Sequence, residues 1–125
     1  MAKIKLGQRP KTFKRLVSFP LVDNTTGQIE MVFKYKTRSE FGAFIDELLD
    51  DAGKDRSDGS VSMKELMERT ADSNASYILQ VAEGWNLDEE FNRANIQQLS
   101  DEIPAATAAI MEAYRLAISE GRQGN

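Results

Sequence analysis

The chain has 125 residues with no cysteine and no histidine, and its 16 Lys+Arg against 20 Asp+Glu give a formal net charge of −4. That length suits one domain burying ~65–70% of its unfolded surface. The missing residue types exclude a disulfide framework, a Cys/His zinc site, a cysteine nucleophile and a Ser-His-Asp triad, and they make a reducing cytosol the default compartment. No run approaches the ~18 apolar residues of a membrane-spanning helix. The first residues carry charge without an apolar h-region, so neither a membrane anchor nor a secretory signal is expected.

The net charge conceals an asymmetry. Residues 1–38 hold nine Lys/Arg and two acids, a net +7, whereas residues 39–125 hold seven basic and 18 acidic residues, a net −11. A basic first third on an acidic remainder points to a nucleic-acid patch or to head-to-tail self-complementarity.

In chain order, residues 1–12 read as a basic arm. Ile4 and Leu6 alternate with Lys3 and Lys5, which permits a short strand before Gly7 and Pro10 interrupt it. Residues 13–36 read as a β-hairpin. Phe13, Arg15, Val17, Phe19 and Leu21 share one face of its first strand, and Ile29, Met31, Phe33 and Tyr35 one face of its second. Asp23-Asn24-Thr25-Thr26-Gly27 is the expected five-residue turn, closing with Leu21 opposite Ile29, Phe19 opposite Met31 and Val17 opposite Phe33. Pro20 lacks an N–H, so the first strand is expected at an edge or bulged.

Residues 38–52 give the clearest helix. Thr37 is its N-cap with Glu40 three residues on, a capping box. Phe41, Phe44, Ile45, Leu48, Leu49 and Ala52 form one apolar stripe, and Gly53 is the expected stop. A polar loop over 54–60 follows. A second helical pattern (Met63, Leu66, Met67, Thr70, Asn74, Tyr77, Ile78, Val81) then runs to Gly84, with poor propensity near 72–74 that leaves room for a break, and Trp85 opening a loop. Asn92 caps the next helix, with Phe91 and Ile96 at the spacing of a hydrophobic staple. Pro104 opens the last helix, whose stripe is mostly small: Ala106, Ala109, Ile110, Ala113, Tyr114, Ala117 and Ile118. Gly121 is its expected end.

Little in this pattern carries chemistry. Setting Gly59 on the invariant glycine of an EF-hand loop places Asp58 and Glu65 as ligands but Lys54 and Arg56 at the first and third ligand positions, where cations do not coordinate calcium. Asp50-Asp51 and Asp88-Glu89-Glu90 read as surface charge rather than a matched acid pair in a cleft. No glycine cluster precedes a helix as a phosphate loop requires. No catalytic residue, metal or cofactor is therefore expected. The basic hairpin has an RNA-binding look in Phe33-Lys34-Tyr35-Lys36, but alternation sends Phe33 and Tyr35 to the core face and Lys34 and Lys36 to the other. In the expected register Lys14 opposes Lys36, a like-charge face that an anionic partner would relieve. Trp85, the sole tryptophan, is either a cap on the core or an exposed anchor for a partner.

Taken together, several stretches resemble the tail assembly chaperones of long, non-contractile-tailed bacteriophages (siphophages). They are Phe33-Lys34-Tyr35-Lys36-Thr37-Arg38 leading into a helix near Glu40-Phe41, Gly84-Trp85 with acids after it, Phe91-Asn92-Arg93-Ala94-Asn95-Ile96-Gln97-Gln98-Leu99, and Pro104-Ala105-Ala106 with Ala109-Ile110 and Ala113-Tyr114. The similarity spans residues 13–120 and lies in the order and spacing of the pieces. It implies a non-enzymatic protein, without cofactor, that coats the tape measure protein, keeps it soluble, helps recruit tail tube subunits and is absent from the finished virion. It also implies action in the host bacterial cytoplasm and, in many members, a second, frameshifted longer form.

The expected fold is thus α+β: an N-terminal antiparallel β-hairpin, with room for a third short strand, packed on about five helices. Residues 1–12 are the arm, 13–120 a single domain (hairpin 13–36, helical body 38–120) and 121–125 a frayed tail. The expected partner-binding or self-association residues are Lys14, Lys34, Lys36, Arg38, Trp85 and Phe91. The expected partners are the tape measure protein, the tail tube protein and further copies of the chain, with no membrane. A small nucleic-acid-binding protein using the arm and hairpin is the second reading.

Overall fold

The structure, a computed structural model, describes residues 6, 7, 9–54 and 63–120. Ile4, the polar loop about Gly59 and the tail from Gly121 lie outside them, as do the side chains of Leu49, Ala52, Met63, Leu66, Met67 and Thr70. The described elements run β1 (Thr12–Pro20), β2 (Thr26–Lys34), α1 (Arg38–Lys54), α2 (Met63–Val81), β3 (Ala82–Trp85), α3 (Arg93–Glu102) and α4 (Pro104–Glu120). The fold is α+β, with a three-stranded antiparallel sheet in the order β1-β2-β3 and four helices among the described residues rather than five.

The hairpin forms, but its register differs from the expected one. Val17 pairs with Ile29, Phe19 with Gly27 and Pro20 with Thr26, so each residue of β1 meets a partner four positions earlier on β2 than expected. The turn chemistry explains the shift. Asn24, not Gly27, takes the left-handed position, at φ 69°. The Leu21 carbonyl accepts from the Asn24 N–H (3.1 Å) and the Leu21 N–H donates to the Thr25 carbonyl (2.9 Å), a three-residue loop with an αL bulge. Asp23 Oδ1 accepts from the Thr25 N–H at 3.1 Å and braces the turn. Gly27 is thereby drawn into β2, where its missing side chain makes room for Phe19: a Cβ there would lie 2.6 Å from the Phe19 ring. An even-numbered shift leaves every side chain on its expected face. Lys14 now opposes Val32 and Lys34 opposes Thr12, so the expected Lys14–Lys36 pairing does not exist. Pro20 stands at the end of an edge strand, as its missing N–H requires.

The third strand is β3, a segment expected as the end of a helix and the start of a loop. The second helical run ends at Val81 rather than Gly84, and Ala82–Trp85 pairs with Met31–Phe33 through a bulge. Asn86 extends the pairing: its N–H donates to the Glu30 carbonyl (3.1 Å) and its Oδ1 accepts from the Glu30 N–H (2.9 Å).

The helix α2 is continuous through 72–74, where propensity left room for a break, for tertiary reasons. Asn74 Nδ2 donates to Ser100 Oγ (3.1 Å) and Thr107 Oγ1 (3.4 Å), tying α2 to α3 and α4. Asp72 receives Arg93 (2.8 Å) and Gln97 (3.0 Å). These contacts hold the polar middle of α2 helical against its propensity.

The expected caps form. Thr37 Oγ1 accepts from the Glu40 N–H (3.2 Å) while Glu40 Oε1 accepts from the Thr37 N–H (2.8 Å). Asn92 caps α3 by accepting from the Asn95 N–H at 2.8 Å, and Pro104 is the first residue of α4. Gly53, the expected stop of α1, lies inside its last turn.

One face of the sheet carries the core. Met31 and Phe33 are fully buried, with Val17, Phe19 and Ile29 beside them. Tyr114, Ile110 and Ala106 of α4, Ile78 and Val81 of α2, and Ile96 of α3 complete it. The small residues of α4 let that helix lie close on β1 and β2. Tyr114 sits at the centre, its ring 5.1 Å from Phe33 and 5.7 Å from Phe41, and its hydroxyl donates to the Lys34 carbonyl at 2.8 Å. Burial pushes that phenol well above its ordinary range. The other sheet face is exposed and mixed: Leu16 opposes Glu30, flanked by Lys14 and Lys34.

Candidate partner-binding groove

The expected site residues fall in three places. Lys14 and Lys34 lie on the exposed sheet face as diagonal neighbours, with Glu30 and the half-exposed Leu16 (52%) on the same face. Lys36 is partly buried, its Nζ 5.5 Å from the centre of the Phe44 ring, a cation–π contact. Arg38 is exposed at the start of α1. Trp85 and Phe91 meet edge-on with ring centres 5.1 Å apart. The structure brings the two aromatics together and spreads the four cations over two surfaces, one of them shared with an acid.

The Trp85 contact shapes one side of an open surface groove. Trp85 opposes Met31 and so lies on the inner side of the sheet, at its outer edge. Its indole N–H donates to the Glu89 carbonyl at 2.7 Å, which curls the acidic loop 86–92 around the ring. Asn95 Nδ2 donates to the Glu90 carbonyl at 2.7 Å and pins the same loop to α3. The tryptophan is therefore half-buried and polar-satisfied, and what it offers outward is ring surface.

Beside it, the turn end of the hairpin and α3 diverge and leave an open groove of about 330 Å³. The floor is apolar: Phe19 from β1 and Leu21 from the turn after it, Trp85 and Leu87 from β3 and its loop, Leu99 and Ile103 from α3 and its end. Gly27 allows Phe19 to lie flat there. The rim is polar, with Glu89 on the loop side and Glu102 on the helix side, and Gln98 donates to Glu102 at 2.7 Å. Among the described residues no basic side chain lines the groove, whereas Asp88, Glu90 and Asp101 are exposed close by in sequence. An apolar floor under an acidic rim suits an apolar anchor flanked by Lys or Arg.

A second, more open depression of about 540 Å³ lies where Phe41, Ile45, Tyr77 and Met111 meet the Glu112–Arg115 ion pair. Burial pushes the Tyr77 phenol up to about 12. Among the described residues no cluster of three acids could hold a metal ion, and no helix is long and apolar enough to cross a membrane.

Sequence reasoning found Trp85 but missed the rest of the groove: Leu21, Leu87, Leu99 and Ile103 on its floor, Glu89 and Glu102 on its rim. Leu99 and Ile103 fall four apart, a signal that helical spacing carries. The convergence of β1, the Trp85 loop and α3 is a long-range fact that spacing does not show.

The family model described as "Phage tail assembly chaperone" matches residues 1–125, the whole chain. No curated protein and no solved structure matches.

Proposed function

The chain belongs to the phage tail assembly chaperone family, and from that premise we propose that it binds the tape measure protein and helps recruit tail tube subunits while the tail is built. It works by binding alone, without catalysis or a cofactor, in the host cytoplasm, and it leaves before the virion is complete. The single structural observation that supports this reading is the open apolar groove around Trp85, a surface built to cover apolar side chains. A long helical protein awaiting its tube exposes such side chains. Domain 13–120 acts as one unit in this reading, with the arm, Lys14, Lys34 and Arg38 as charged contacts and Trp85 with Phe91 as the aromatic anchor.

The nucleic-acid reading loses support in this fold. Glu30 shares the exposed sheet face with Lys14 and Lys34, and Lys36 rests on Phe44. The test uses affinity-tagged chain. It retains the tape measure protein of its own phage from a co-expressing lysate, and it gives no stable shift with duplex DNA at low salt. Retention of DNA without the tape measure protein overturns the proposal.

A further inference from the structure

We propose that the groove around Trp85 takes the basic arm of a second copy of the chain, so that copies join head to tail. The inference rests on charge, reach and shape; it assigns the groove to a neighbouring copy while the tape measure protein is absent, and the apolar side chains of that protein would compete with the arm for the same floor.

The charges match. Residues 1–11 hold Lys3, Lys5, Arg9 and Lys11 and no acid. The groove is lined by Glu89 and Glu102 and, among the described residues, by no basic one. The apolar pattern also matches. In an extended arm Ile4 and Leu6 fall on one face, ~7 Å apart, with Lys3 and Lys5 on the other. Ile4 and Leu6 would enter the floor formed by Leu21, Leu87 and Leu99, and the lysines would face the mouth where the rim carboxylates stand. Leu6, a large aliphatic side chain, is 95% exposed in the single chain.

Reach decides that the arm is another copy's. Its root is held at the far end of β1. Arg9 bonds Glu40 at 2.9 Å and stacks 5.7 Å from the Tyr35 ring, and the Tyr35 N–H donates to the Lys11 carbonyl. From Thr12 to Phe19, where the groove begins, β1 covers ~23 Å. The five residues from Arg9 back to Ile4 span at most ~18 Å fully extended. The arm falls short of its own groove. A contact between an arm at one end of the domain and a groove at the other is heterologous, and it repeats from copy to copy unless the rotation closes a ring.

The test is sedimentation of the full chain at about 0.05 M and about 0.5 M salt. It compares the wild type with an arm variant (Ile4→Asp, Leu6→Asp) and a rim variant (Glu89→Lys, Glu102→Lys), each checked by circular dichroism to be folded. Both rim side chains are exposed, and Glu89→Gln with Glu102→Gln is the milder alternative. The wild type is expected to form species larger than a dimer at low salt and to shrink at high salt. Each variant alone is expected to associate at least tenfold more weakly. Mixed together, an intact arm meets an intact groove, and assembly is expected to stop at a one-to-one dimer. Trp85 supplies a direct probe, since a synthetic peptide of residues 1–11 should shift its fluorescence and the Leu6→Asp peptide should not. A wild type that stays monomeric at low salt overturns the proposal. So do variants that assemble like the wild type, which would place self-association on another face, and a peptide that leaves Trp85 unmoved.

Discussion

Replacing Tyr114 by Phe removes one oxygen from the centre of the molecule and isolates a single link in the fold. The ring is fully buried and keeps its neighbours: Phe33 at 5.1 Å, Phe41 at 5.7 Å and Phe13 at 6.0 Å. What disappears is the 2.8 Å bond from the hydroxyl to the Lys34 carbonyl, which ties α4 to the last residue of β2. A buried bond of this kind contributes about 0.5–1.5 kcal/mol net, and stranding its acceptor adds to the loss, so Tyr114→Phe is expected to cost about 1.5 kcal/mol. With a urea slope near ~1.5 kcal/mol/M the midpoint falls by about 1 M at unchanged slope. Tyr114→Leu also removes the aromatic contacts and opens a cavity, and it is expected to cost about 3–5 kcal/mol. Urea melts followed by far-ultraviolet circular dichroism measure both. If Tyr114→Phe melts within about 0.2 M of the wild type, the hydroxyl does not hold the helix to the sheet and this account of the core is wrong.

Four further outcomes follow from the geometry. Gly27→Ala places a methyl group 2.6 Å from the Phe19 ring, so it is expected to cost about 1–3 kcal/mol in urea melts and to alter the groove, read as a changed Trp85 emission. Thr37→Ala removes the cap of α1 and is expected to cost about 1 kcal/mol, with faster amide exchange confined to the first turn. Arg93→Ala breaks an exposed pair with Asp72 and is expected to change stability by no more than about 0.5 kcal/mol, because solvent screens it. At high pH the phenols set the limit. Tyr77 is raised to about 12 and Tyr114 higher, so the unfolded chain releases these protons first. The stability they contribute is complete below pH ~10 and is lost as pH climbs toward and past 12; ultraviolet titration of the phenolates should show delayed ionisation in the folded chain.

The parts of this fold that were legible in the sequence are those decided by neighbours along the chain. Thr37 and Glu40 form their box, Asn92 its cap, and Pro104 starts its helix, because each bond closes within a few residues. Strand alternation sorted Val17, Phe19, Ile29, Met31 and Phe33 onto the core face for the same reason. The hairpin register was not legible. Two loops were available, one with Gly27 and one with Asn24 in the left-handed position, and both put the same side chains inward. The turn bonds about Asn24 and the fit of the Phe19 ring over Gly27 act together to select the second, and the latter is a cross-strand contact that spacing along the chain does not show. A third strand had room in the expected fold, but its place escaped, because Ala82-Glu83-Gly84-Trp85 is short and continues a helical pattern, and its partners Met31–Phe33 lie about fifty residues earlier. The candidate site divided in the same way. Trp85 was visible by its rarity, whereas the groove exists only where three distant segments meet, and Lys36 reads as a free cation until the fold sets it on Phe44.

The proposed role is to protect the tape measure protein by binding it. The most direct measurement is the soluble fraction of the tape measure protein of the same phage, expressed with and without the chain at matched levels. With the chain present, the tape measure protein is expected to move from the pellet to the soluble fraction, and both proteins are then expected to elute together. A tape measure protein that remains insoluble beside abundant, folded chain would contradict it.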